Sequence, residues 1–464
     1  MIDTFFAFLR YCLGGKRDMS RVIAGMDWQK LYSFASKQAI LGLCFDGIVR
    51  LGKEYPEELR LNPIGRELLM TWMGMAQQIR RQNRKVNAVA GQLFLMLRED
   101  GMRCCILKGQ GNALMHPNPY SRTPGDIDVW VNASREDITK YAKTHFKLED
   151  DIRFHHLETT MDGVPVELHF FPCSMNNPLY HTRLQKWFKR NADLQCSNIV
   201  SLPNGIGEIA IPTTAFNVIY QLTHLYHHFF DEGIGMRQII DYFLVVNDFS
   251  KNIFLNNDLS NPSVSLSKGS STSHPSPLSS EERDVTALRC SEPLRSKDGG
   301  PSKVSPDCLS ASASKVSPSC AGWDRLDVIG DMASDVSASS ASAAGSSAYA
   351  ALDVVQKELK YLGLWKFAGA VMYVLHEVLG LPEEKMIAPM DEKRGKLLLA
   401  EILNGGNFGQ HFTKYGHFTR QGMAKKYFLK IWRNMHFVRY YPAEALSEPI
   451  FRTWHFFWRM KNKK

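Results

Sequence analysis

Gly125-Asp126-Ile127-Asp128-Val129-Trp130-Val131 sets two carboxylates two residues apart in an otherwise apolar, β-branched run. In a strand, successive side chains alternate faces. Asp126 and Asp128 then project together, while Ile127, Val129 and Val131 point the other way, into a core. Two neighbouring carboxylates repel, and each raises the pKa of the other unless a cation stands between them. Hard oxygen donors of this kind suit Mg2+ or Mn2+, so the stretch reads as a metal platform.

The flanking residues sharpen that reading. Upstream, Arg103-Cys104-Cys105-Ile106-Leu107 is a short apolar strand running into Lys108-Gly109-Gln110-Gly111. Asn112 to His116 follows as the first turns of a helix, closed by Pro117 and Pro119. Glycines at a strand-to-helix turn let the backbone approach a phosphate, and the free N–H groups of the helix start favour its charge. Downstream, Asp162-Gly163 is a turn signal between His156-Leu157-Glu158-Thr159-Thr160 and Val164-Pro165-Val166-Glu167-Leu168-His169-Phe170, which predicts a hairpin. In its second arm Val166 and Leu168 share one face, and Glu167 and His169 the other. Glu167 is thereby offered as a third carboxylate on a neighbouring strand.

Leu107-Lys108-Gly109, Arg122-Thr123-Pro124-Gly125-Asp126-Ile127-Asp128-Val129 and Val166-Glu167-Leu168-His169 together resemble the DNA polymerase β-type nucleotidyltransferase superfamily. More narrowly, they resemble its bacterial uncharacterised nucleotidyltransferase family, from about residue 30 to the C-terminus apart from one insert. The resemblance implies an α+β fold, a small mixed β-sheet flanked by helices. It also implies Mg2+ (or Mn2+) held by Asp126, Asp128 and Glu167, with an NTP bound over the glycine turn. Nucleotidyl transfer would then be an in-line attack on the α-phosphorus, pyrophosphate leaving, with Glu167 sharing a second metal or acting as general base. Lys108 and the N–H groups of Gly109, Gln110 and Gly111 would hold the outer phosphates, and the guanidinium fork of Arg122 suits a phosphate or acceptor clamp. Two departures stand out. Gln110 follows Gly109 where Gly-Ser or Gly-Gly is usual, and the third acid is Glu167 where many relatives use Asp. A His224, Arg237 and Asp241 pattern also matches the narrower family, implying that this helical segment faces the cleft.

The rest of the chain bounds the architecture. Its 464 residues suffice for two or three domains, and its 44% apolar content is ordinary for a soluble protein. Residues 1–100 show helical periodicity and form an N-terminal helical region, followed by the nucleotidyltransferase core over 101–200. A C-terminal helical domain is expected over 201–250 and 351–464. Ser134-Arg135-Glu136-Asp137 carries a capping signal for a helix through His145. Pro212-Thr213-Thr214 introduces a helix to about Phe230, and another runs from Met236 to Asn247. Residues 251–350 turn abruptly rich in Ser with few large apolar side chains. Such a stretch cannot bury enough surface to offset its chain entropy, so it is expected to be a disordered insert.

The nine cysteines show no paired zinc spacing, and the N-terminus lacks the basic start and long apolar run of a signal peptide. Both features point to reduced thiols in a cytoplasm. Leu362 to Leu381 contains Lys366, His376 and Glu377 and reads as a buried helix rather than a membrane span. His224 and His228, four apart on one helical face, offer a metal pair or simple aromatic packing. From Met423 to Lys464, basic residues alternate with aromatics, a pattern open to core packing with a solvated basic face, RNA binding or an anionic membrane surface. The function expected is metal-dependent transfer of an NMP from an NTP to a hydroxyl acceptor, whether small molecule, sugar, protein or RNA. Two other classes stand beside it. One is a nucleotide-binding protein without turnover, which Gln110 favours; the other is an RNA-binding module using the basic aromatic C-terminal segment.

Overall fold

Asp162 and Gly163 both adopt positive φ, +49° and +71°. A two-residue turn of that kind matches the right-handed twist of its flanking strands. It closes the predicted hairpin between β3 (His156–Met161) and β4 (Val164–His169). A computed structural model of the chain describes residues 2–148, 153–259, 343–411 and 423–462. In it, β1 (Cys104–Leu107) and β2 (Ile127–Val131) join the hairpin in a four-stranded sheet of order β1-β2-β4-β3. The β1–β2 and β3–β4 pairs are antiparallel, while β2 and β4 run parallel, so the sheet is mixed as expected. A small antiparallel pair, β5 (Ile199–Ser201) and β6 (Glu208–Ala210), extends beyond it.

The alternation along β2 divides two cores. Ile127, Val129 and Val131 are buried with Val164, Val166 and Leu168 of β4 and with Val86, Val89 and Leu93 of the Arg66–Glu99 helix. Burying each such side chain contributes roughly 1.5–3 kcal/mol, enough to pin the strand's register. On the opposite face, Trp130 enters the larger core, its ring stacked on Phe216 at 6.0 Å and 14°. Phe216 belongs to the Thr214–Asp231 helix, which thereby covers the carboxylate face of the sheet. The N-terminal Ile2–Cys12 helix joins the same core through Phe5, Phe8 and Leu9.

The helical expectations hold with adjusted ends. Ser134 caps the Arg135–His145 helix, its hydroxyl accepting from the Asp137 N–H at 3.1 Å. The helix expected over Met236 to Asn247 continues to Leu259. Within it the Ser250 hydroxyl donates to the Val246 carbonyl at 2.9 Å, a bond that satisfies a residue otherwise prone to end helices. A helix over Ala343–Tyr361 occupies the other flank of the Ser-rich stretch. Of the disordered insert expected over 251–350, residues 260–342 lie outside the described residues. Residues 1–260 and 343–464 form one compact unit. Trp365–Leu379 is a buried helix, and among the described residues no helix is long and apolar enough to cross a membrane.

The C-terminal helices span Met423–Met435 and Pro442–Asn462. Three of their cations pair with acids of the fold, while Arg439 and Lys461 are exposed. Lys430 Nζ lies 2.8 Å and Arg452 Nη2 2.9 Å from Asp231, and Arg433 Nη2 is 3.3 Å from Glu401. Trp432, Ile450 and Phe457 are also exposed.

The turn supplies a direct stability test. A Cβ on Gly163 would have only the flexible tip of Lys85, at 3.3 Å, within contact range, so the cost of Gly163→Ala is one of backbone strain. It is expected to lower stability by about 1–2 kcal/mol, read as a shifted urea midpoint. An unchanged midpoint would mean that this turn does not set the hairpin.

Candidate active site

The site grows from the sheet register. Asp128 on β2 stands opposite Leu107 of β1 on one side and Glu167 of β4 on the other. Lys108, the residue after β1, adopts φ +50°, an uncommon conformation for a side-chain-bearing residue, and Gly109 follows at +42°. This sharp turn into the short Gly109–Ala113 helix keeps Lys108 beside the sheet. Its Nζ lies 2.9 Å from Asp128 Oδ1 and 2.8 Å from His224 Nε2.

His169 completes the group. Its Nε2 is 3.0 Å from Asp128 Oδ1 and 3.1 Å from Glu167 Oε2. Donor atoms of Asp128, Glu167 and His169 all lie within 4.8 Å of one another. Burial disfavours the Asp128 charge, but Lys108 and His169 outweigh it and hold the carboxyl well below its usual range. Burial likewise opposes the charge on His169, yet hydrogen bonds to Asp128 and Glu167 raise its pKa to about 9. Glu167 is pulled down against its own burial, chiefly by His169. Asp126 sits just before β2 at the solvent-facing mouth, outside that donor group. The Asp128 charge first, and burial second, raise its pKa to about 6. Asp128 and Glu167 thus meet as expected, and Asp126 borders the same space. His169 is the member that sequence reasoning left out of the site; the Glu167-Leu168-His169 alternation carried the signal.

A solvent-open cleft is lined by Lys108, Gly109, Arg122, Asp126, Asp128, His224, Arg237 and Asp241 among others, while Glu167 and His169 are not part of its lining. Arg122 reaches it as expected, but its fork is engaged by Asp241. Nε donates to Oδ1 at 2.9 Å and Nη2 to Oδ2 at 2.8 Å. His116 Nε2 meets the same carboxylate at 2.9 Å. Arg237 stands one turn before Asp241 on the same helix. That guanidinium donates Nη1 to the Thr123 carbonyl at 3.0 Å, and its buried Nε has no hydrogen-bond partner among the described residues. Burial, then the Arg122 charge, lower its pKa to about 10. His224 and His228 approach through their Nε2 atoms at 3.0 Å, so His224 links Lys108 to the next turn of its helix.

The glycine turn divides its roles. The Gln110 side chain is buried and donates Nε2 to Asn87 Oδ1 on the Arg66–Glu99 helix, outside the cleft lining. A Cβ on Gly111 would come within 3.0 Å of Ile211 Cγ2, so close packing explains that glycine. Of the four residues Lys108 to Gly111, Lys108 and Gly109 line the cleft.

The family described as uncharacterised nucleotidyltransferase matches residues 24–260. This chain belongs to that family. The matched stretch contains every group in the carboxylate cluster and ends where the Met236–Leu259 helix does. No curated protein and no solved structure matches the chain. Within this nucleotidyltransferase, Asp241 is the buried anchor of the cleft's cationic wall. Burial opposes its charge, but Arg122 and His116 hold its carboxyl well below the usual range. Asp241→Asn leaves the Arg122 charge uncompensated and is expected to cost about 3–5 kcal/mol, measured by chemical denaturation. Since the folded-state pKa lies below the unfolded value, the pair's contribution is complete above about pH 4 and fades as the pH falls through the folded value. A variant as stable as wild type at pH 7 would contradict this assignment.

Proposed function

We propose that the protein transfers an NMP from an NTP to a hydroxyl acceptor with release of pyrophosphate, and that it requires a divalent metal. The observation that carries this reading is the register of Asp128 beside Glu167, with Asp128 and Lys108 lining a solvent-open cleft. The donor chemistry fits a divalent cation. Two hard carboxylates stand in register, and the raised pKa of Asp126 marks a like-charge conflict that such an ion relieves. Asp126, Asp128 and Glu167 would hold the metal. When bound, it supplies neutralisation of the charge that develops on the triphosphate.

The chain's own residues do the rest. Lys108 and Arg237 both line the cleft and bind phosphate oxygens; Arg237 takes the clamp role expected of Arg122, whose fork is committed to Asp241. Gly109 lets the backbone approach without a side chain. The acceptor hydroxyl attacks the α-phosphorus in line. As the new O–P bond forms, the bond to the bridging oxygen breaks, pyrophosphate leaves, and the hydroxyl proton passes to the Glu167 carboxylate. His169 positions that carboxylate and keeps it ionised.

Incubation with each α-labelled NTP, Mg2+ or Mn2+ and a cell extract tests the proposal. Label should appear on one acceptor fraction and fall by about a hundredfold or more in Asp128→Asn. Transfer that survives intact in Asp128→Asn, or NTP binding with no transfer from any nucleotide, would count against it.

A further inference from the structure

The hairpin that carries Glu167 holds two further donors, His156 and Glu158, that the proposed transfer does not use. In the antiparallel register Glu158 stands opposite Glu167, and His156 opposite His169. Directly opposed residues share a face, as do residues two apart on one strand. The mirrored His156-Leu157-Glu158 and Glu167-Leu168-His169 segments therefore project four donors together, next to Asp128. Carboxylates from β2, β4 and β3 form one row across the sheet, and imidazoles from β4 and β3 form the next.

The distances agree. His156 Nε2 lies 3.1 Å from Glu158 Oε1, and its Nδ1 lies 3.2 Å from Glu167 Oε2. Donor atoms of His156, Glu158 and Glu167 fall within 4.8 Å of one another, as do ring nitrogens of His155, His156 and His169. Both His156 and His169 are more than nine-tenths buried, at 5% and 3% exposure. Arg153 Nε closes the outer side, 3.0 Å from Glu158 Oε1. Opposed carboxylates destabilise a sheet unless positive charge balances them. Nitrogen donors at this density distinguish the position from an all-oxygen one: imidazole suits transition ions, whereas Mg2+ prefers oxygen.

We propose that His156, Glu158 and Glu167 form a second cation position that takes a transition ion such as Zn2+ in preference to Mg2+. It rests on the transferase reading only through Glu167, which the two positions share.

The test uses the full chain without an affinity tag, stripped with chelator and dialysed against Zn2+ in excess Mg2+. Bound zinc is counted, and circular dichroism confirms folding of every variant. The wild type should retain zinc despite Mg2+. His156→Ala and Glu158→Gln should each weaken it by about tenfold or more, while Asp128→Asn leaves it largely in place. Co2+ as a probe should give visible bands that change in His156→Gln, a readout that holds if His156→Ala fails to fold. Zinc displaced by Mg2+, or unaffected by both the His156 and Glu158 variants, would overturn the proposal. Zinc lost only in Asp128→Asn would also overturn it, yet leave the transferase reading standing. Zinc bound as expected in a protein that transfers no NMP would sustain this site and sink that reading.

Discussion

Three negative charges brought together on one sheet must be balanced, and the structure around Asp128 is organised by that requirement. Asp128 is buried, faces Glu167 across a parallel strand pair, and has Asp126 two residues away. Left alone, such a group would lose its ionisation to desolvation and mutual repulsion. Lys108 and His169 supply the opposing charge at 2.9 and 3.0 Å. Among the described residues Asp126 makes no such ion pair, and its carboxyl is the one pushed upward. The site therefore combines acids compensated by the protein with one, Asp126, whose pKa stays raised.

The same logic runs through the cleft wall. Arg122 and Asp241 neutralise each other in a buried bidentate pair, which fixes the wall but removes Arg122 as a free clamp. Arg237 lines the cleft, and its buried Nε has no hydrogen-bond partner among the described residues. In the C-terminal helices, Lys430, Arg433 and Arg452 are likewise absorbed by acids within the fold. These three cations of the segment to which the RNA-binding alternative gives phosphate contacts therefore already have acidic partners within the fold.

Much of this was legible from the chain alone because it depends on local rules. Strand alternation placed Asp126 and Asp128 against Ile127, Val129 and Val131, and the Asp162-Gly163 pair announced its hairpin. Family resemblance pointed to the cleft-facing side of the segment holding His224, Arg237 and Asp241, all of which line it. What escaped depends on long-range partners. Nothing near Arg122 signals a carboxylate more than a hundred residues away, and nothing near Gln110 signals Asn87. Gly111 looks like a phosphate-turn glycine until Ile211 is seen against it. His169 was half visible: its face followed from alternation, but its distance to Asp128 required the parallel β2–β4 pairing, which no turn encodes.

The most direct measurement is a crystal structure of the protein soaked with Mn2+ and a non-hydrolysable NTP, using the anomalous signal of manganese. The account predicts manganese bound between Asp128 and Glu167, with the triphosphate running toward Lys108 and Arg237. Nucleotide bound away from this cleft, or manganese absent from these carboxylates while nucleotide is present, would contradict it.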